Sequence, residues 1–371
     1  MQEKIFKIKN YWRNIDKQIL AYFSMLFTLG VFFSFSSTSF LADERLNKSY
    51  YFFFQKHLIY AFFSFLIMIL ISTLNTDLIN RSLIPIFIFF ILLLLLVPFL
   101  GVEVKGAKRW ISFYIFRLQP IEFVKPFFIL VVAQIISSTK IKSLNLSHVI
   151  SFLFLSIIAL LLLIQPDVGQ TILLAASWSS LIFISGFSII FLILIFFLLI
   201  VLFFLLLYLA PERFSYIISR ITSFMDPEKS GWTQSQKAIE AIKQGGLKGR
   251  GMGEGILKEN VPEAHTDYII AVVSEEFGSV VSVLIIIIFL FIAFRIIKKV
   301  ISFSNNYIKL ALCGLISLII FQTFIHIGVN ANLLPTTGMT LPFLSYGGSS
   351  LLSTGIVAGI ILNFTSLNEK N

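Results

Sequence analysis

The stretch VPEAHTDYII, residues 261–270, sets Glu263, His265 and Asp267 within five positions, just before the chain turns apolar. A carboxylate at the mouth of a low-dielectric segment, with a second one nearby, is pushed towards neutral pKa, which suits a general base. A second group lies in GVEVKGAKRWISFYIFRLQPIEFVKP, residues 101–126. Here Lys105, Lys108, Arg109 and Arg117 gather positive charge, which points to an anionic partner or to lipid headgroups. Trp110 is by itself an ordinary interfacial anchor. Pro120 favours a helix start, so Glu122 and Lys125 fall three apart in its first turns and can pair.

Two further stretches complete the chemistry. In QPDVGQ, residues 165–170, Asp167 is the one charged residue between Lys142 and Glu212. It reads as a helix cap, as a partner for the cations of the first loop, or as both. The stretch LLPTTGMTLPFLSYGGSS, residues 333–350, has no charge but offers Ser345, Tyr346, Ser349 and Ser350. Irregular polar backbone near a membrane is tolerated only against protein or a wet cavity, so this segment should wall a cavity.

The elements that must position these residues follow from composition. Of 371 residues, 57% are hydrophobic and 13% charged, with a mean hydropathy of +0.92. That excludes a soluble domain and predicts an all-α polytopic membrane protein. Apolar runs of spanning length occur near 20–41, 57–75, 82–100, 120–138, 147–165, 167–185, 187–210, 267–294, 307–329 and 341–364. This makes ten spans with both termini on one side. The basic N-terminal tail (Lys4, Lys7, Lys9, Arg13, Lys17), with Arg81, Lys140, Lys142, Arg295, Lys298 and Lys299, makes that side cytoplasmic. All four chemistry-bearing stretches then face the other side. The expected organisation is a tail at 1–19, a membrane domain at 20–364 with a large extracytoplasmic loop at 211–266, and a tail at 365–371.

Other chemistries are excluded or weak. A lone Cys313 rules out an intrachain disulfide, and the four histidines lack metal-ligand spacing. Within the long loop, residues 234–244 have amphipathic spacing that suits a membrane surface. The six glycines of 245–255 match neither a P-loop nor GxGxxG. An anion nest is conceivable there, though a flexible loop explains them more simply.

GAKRW (106–110), RLQPIEFVK (117–125), QPDVG (165–169), PEAHTD (262–267) and LPFLSYGGSS (341–350) together resemble the SEDS family, the FtsW/RodA peptidoglycan glycosyltransferases. The motifs occur in family order and span most of the chain. GRGMGEGILKENVPEAHTDYIIAVVSEEFG and GMTLP lie nearer the FtsW branch, whereas Thr337, where that branch often has Lys, is more RodA-like; Ile121 replaces the usual Ser. The resemblance implies ten helices and polymerisation of lipid II at the outer face of the cytoplasmic (inner) membrane, in septal wall synthesis. It implies that Asp267 is the base, and that Arg109, Arg117 and Lys125 meet the pyrophosphate of a leaving undecaprenyl pyrophosphate. Lys108, Trp110, Glu122, Asp167, Glu263, His265, Ser345 and Tyr346 would complete the substrate site. A divalent cation (Mg or Mn) is conceivable, argued from carboxylates alone. Implied partners are a class B penicillin-binding protein, other divisome proteins and membrane lipids, with no nucleic acid. The rival from another class is a lipid II flippase, and a structural scaffold is a third reading. The gathering of charge on one face, with no internal repeat, favours chemistry at a surface.

Overall fold

The computed structural model describes residues 14–46, 51–104, 106–113, 116–138, 144–190, 215–225, 234–257, 261 and 263–367, with isolated positions from 193 to 208. Most of the expected seventh span and of both tails, and Lys140 and Lys142, lie outside the described residues.

The helices are α1 (Lys17–Leu46), α2 (Phe52–Ser72), α3 (Thr76–Leu100), α4 (Pro120–Ser137), α5 (Leu144–Ile164) and α6 (Val168–Ile184). After them come α7 (Ser215–Met225), α8 (Gln234–Gly245), α9 (Ile269–Phe277), α10 (Ser279–Ser302), α11 (Asn306–Asn330) and α12 (Gly348–Thr365). Eight are long and apolar enough to cross a membrane, and α6 is a shorter apolar helix. Large apolar side chains such as Phe62, Phe89, Leu160 and Phe294 face outwards. No water-facing surface would tolerate them in such numbers, whereas lipid does. The centre of the bundle is α4, buried without a break from Pro120 to Ala133, against α3, α11 and α12. Close packing of α2 on α12 depends on Gly348, Gly355 and Gly359, where a side chain would strike Tyr60, the Ser64 carbonyl or the Met68 carbonyl. Without a hydrophobic drive between helices in lipid, such small residues supply the contact.

Three expectations need correction. The 101–119 connection is not plain loop but a three-stranded antiparallel sheet: β1 (Val102–Val104), β2 (Ala107–Ser112) and β3 (Arg117–Leu118). The expected 267–294 span is two helices, broken at Gly278, whose φ of 89° belongs to glycine. The last helix begins at Gly348, because residues 341–345 run as buried irregular backbone into the bundle. Helix α8 turns its small face (Ser235, Ala238, Ala241) inwards, against α9.

The glycine-rich stretch is ordered rather than loose. Arg250 N and Gly251 N donate to the carbonyls of Glu275 and Glu276, and Ser279 N donates to Gly246 O. Gly245, Gly249 and Gly278 sit where a Cβ would collide with backbone. Glu275 accepts from Ile256 N at 2.9 Å and Leu257 N at 3.0 Å, and faces Arg250 at 3.6 Å. The glycines thus allow this turn to dock on the α9–α10 break.

Candidate active site

The four stretches converge at one end of the bundle. In β2 the side chains alternate: Ala107, Arg109 and Ile111 are buried, and Lys108 and Ser112 are exposed, as a pleated strand requires. Lys108, Arg109 and Trp110 therefore do not act together. Arg109 points inwards, donating to Pro166 O at 2.5 Å and lying 3.6 Å from Asp167. Lys108 and half-buried Trp110 take the outer face, and exposed Arg117 pairs opposite Ser112 on that same face.

Asp167 stands at the head of α6. Its carboxylate meets Arg109 and accepts from Gln119 Nε2 at 3.4 Å. It is the cation's partner, and its carbonyl takes the first-turn donors of Thr171. Burial raises its carboxyl above the usual range, opposed by Arg109.

The Glu122–Lys125 pair forms at 2.9 Å and is buried. Lys125 Nζ also donates to Gln170 Oε1 at 2.9 Å and Gln322 Oε1 at 3.4 Å. Gln170 donates to Glu122 at 2.7 Å, and Gln322 donates to Thr340 O at 2.9 Å. An ammonium has three protons, and all three are engaged. Lys125 in this arrangement is a buried structural hub, its three protons turned to Glu122, Gln170 and Gln322. Of the 333–350 segment, Pro342 lines a small pocket beside Glu122, Lys125 and Gln322.

Asp267 is half-buried and stands just ahead of α9. A Cβ placed on Gly338 would lie 3.7 Å from Asp267 Oδ2 and 3.9 Å from Arg109 Nη1. The carboxylate and guanidinium therefore flank one glycine of the 331–347 segment. Two residues away, the carbonyl of Thr336 accepts from Arg220 Nη1 of α7 at 2.5 Å. Thr337 packs over Gly169, with the glycine's Cβ position 2.9 Å from Thr337 Cβ.

The remaining expected residues hold the turn. Glu263 Oε2 accepts from Gln234 Nε2 at 2.8 Å, and its carbonyl accepts from Asp267 N at 3.0 Å. Ser345 ties the segment to this turn: its Oγ donates to Thr266 O at 2.6 Å and accepts from Leu341 N at 2.8 Å. The His265 ring lies 4.9 Å from Phe53 and 5.5 Å from Tyr346, and Tyr346 N donates to His265 O. Burial lowers His265 to about 4, and burial with Tyr60 raises Tyr346 to about 12. Both rings are neutral packing groups at pH 7, not proton carriers. Among the described residues no cluster of three His, Cys, Asp or Glu could hold a metal ion. Gln119, Gln170, Gln322, Arg220 and Asn330 escaped the sequence reading. Only the glutamines' recurrence amid apolar spans hinted at them.

Residues 16–370 match the cell cycle protein family FtsW/RodA/SpoVE. The chain belongs to this family. Its similarity to curated members of the FtsW/RodA/SpoVE family runs nearly end to end. It is 35% identical to the probable peptidoglycan glycosyltransferase FtsW of Caulobacter vibrioides, covering 95% of this chain and 89% of that protein. It is 32% identical to the FtsW of Haemophilus influenzae, covering 97% and 95%. It is also 32% identical to stage V sporulation protein E of Bacillus subtilis, covering 91% and 93%. Solved structures share the fold: a chain of a peptidoglycan synthase complex that coordinates polymerization and crosslinking (TM-score 0.74, 22% identity, 95% and 97% covered). Another is the rod shape determining protein RodA of Thermus thermophilus (TM-score 0.67, 21% identity, 95% and 96% covered). This family member is an all-α multi-pass membrane protein.

Proposed function

We propose that this chain is a peptidoglycan glycosyltransferase of FtsW type, polymerising lipid II at the outer face of the cytoplasmic membrane, at the division septum. The observation that carries the reading is the meeting of Asp267 and Arg109 across Gly338, within a chain similar to FtsW proteins over nearly its full length. The acceptor sugar's hydroxyl attacks the donor's anomeric carbon from the face opposite the leaving group. Its proton passes to Asp267, the C–O bond to undecaprenyl pyrophosphate breaks, and the linkage inverts. Arg109 supplies positive charge where the leaving group becomes more negative. Arg117, Lys108 and Trp110, on the outer sheet face, are placed to meet headgroup or sugar. A class B penicillin-binding protein as crosslinking partner fits the likeness to a chain solved in a synthase complex.

The test supplies lipid II in detergent, where there is no bilayer to cross, with and without the partner. Polymer formation supports the enzyme and rules against a chain that only flips lipid. Asp267→Asn should abolish polymerisation while leaving thermal unfolding unchanged. A variant that polymerises at the normal rate removes Asp267 from the role of base.

A further inference from the structure

The end of α11 reaches Asp267 through one side chain that the motifs did not single out. Asn330 is fully buried. Its Nδ2 donates to Asp267 O at 2.9 Å and to His326 O at 2.8 Å. Its Oδ1 accepts from Ala271 N at 3.1 Å, in the first turn of α9. The next carbonyl upstream, that of Thr266, is held by Ser345. Two successive carbonyls are thus fixed from two different elements, and the carboxylate between them faces Gly338.

We propose that Asn330 is a positioning residue for Asp267: it pins the backbone of the base to the end of α11 and to the first turn of α9. The inference rests on Asp267 being the base. The first-turn N–H groups of a helix seek an acceptor, and a carboxylate just upstream is the usual one. A carboxylate drawn into that role is held charged, becomes a weaker base and turns from the cleft. By pinning the Asp267 carbonyl, Asn330 keeps the carboxylate directed at Gly338 and Arg109 rather than at those donors; Ala271 N itself is shared between Asn330 Oδ1 and Tyr268 O, the latter at 3.0 Å. Other charged or titratable groups near the base are Arg109 from β2, Arg220 from α7, His326 from α11, and Glu263, His265 and Tyr268 from its own segment.

The experiment compares Asn330→Ala, Asn330→Asp and Asp267→Asn in the full chain with its partner, using lipid II in detergent and pH-resolved kinetics. Asn330→Ala should lower kcat by about 10²-fold, the scale of a misplacement of roughly 1 Å. KM and unfolding temperature should stay put, and the acid limb of the kcat profile should move to lower pH. Asn330→Asp keeps an acceptor for Ala271 N but adds negative charge beside the base, so the acid limb should move to higher pH. Wild-type kcat in Asn330→Ala, or a loss equal to the lost folded fraction with an unmoved acid limb, overturns the inference while an inactive Asp267→Asn leaves the base in place. If Asn330→Ala does not fold, an unmoved limb in Asn330→Asp overturns it alone. Activity in Asp267→Asn overturns the base, and this inference with it.

Discussion

Lys125 shows how far a residue's type can mislead without its neighbours. The family resemblance implies that this lysine, beside a cationic stretch, contacts phosphate. Here it is 1% exposed and shares its protons among Glu122, Gln170 and Gln322. Lys125→Ala should therefore act first on stability. It leaves Glu122 charged and unpaired in the bundle, at a cost of about 3–5 kcal/mol. Thermal unfolding in detergent should show the loss, and Glu122→Gln in the same chain should recover part of it. An unaltered unfolding temperature with weakened lipid II binding would restore the phosphate role. The glutamines of this network were not legible beforehand, because an uncharged amide in an apolar run carries no sign of which buried charge it will meet. Asp267, by contrast, stood out in the chain, since a carboxylate at the mouth of a span needs a reason to be there.

At the scale of elements, the pleat of β2 separates neighbours that the sequence sets side by side, sending Arg109 to Asp167 and Lys108 to the outer face. The break at Gly278 has a similar effect on what looked like one long span. It ends α9 after two buried carboxylates, Glu275 and Glu276, which bind the glycine-rich turn and Ser36 of α1. Gly278→Ala should undock that turn, because a Cβ there meets Leu247 backbone and its φ of 89° with ψ of 159° is a region essentially confined to glycine, costing other residues about 1–3 kcal/mol. Limited proteolysis within 245–257 should quicken in the variant, with α1–α6 unaffected. Unchanged cleavage would mean that the glycines are not what holds the turn. Six glycines in a row of eleven suggest looseness only until the surface they dock on is known.

Over the whole molecule, the two ends of the bundle carry different electrostatics. The site end joins β2, the 165–167 turn, the 263–267 turn and the 331–347 segment. The other end is tied by Asp16, which caps α1 through Gln18 N and Ile19 N. It also meets Arg295 at 3.1 Å and Lys299 at 3.0 Å, and Lys299 donates to Thr365 O. Burial alone would raise the Asp16 carboxyl, but the Lys299 hydrogen bond, the Ile19 N–H and the charges of Lys299 and Arg295 outweigh it. Its pKa lies below the ordinary 3.8. A depressed folded-state value contributes stability above the unfolded pKa, and that stability is lost as pH falls through the folded one. Asp16→Asn keeps a capping side chain but removes the charge. It should lower stability by about 1 kcal/mol at neutral pH and lose that difference below pH 3.8. Unfolding temperatures of the two proteins across that range decide the point.

What the sequence determined alone was the solvent and the sharing of one end by its chemistry-bearing stretches. Too little polar surface for water forces helices through lipid, and parity then gathers four particular loops at one end. It also marked Asp267, Arg109 and Asp167, because isolated charge in apolar surroundings is expensive enough to be conspicuous. Only the tertiary structure decided which charges meet. Whether Arg109 or Lys125 stands near Asp267 depends on strand pleat, helix breaks and buried amides from distant segments. Those contacts are set by three-dimensional packing between segments far apart in the chain, which local spacing does not fix.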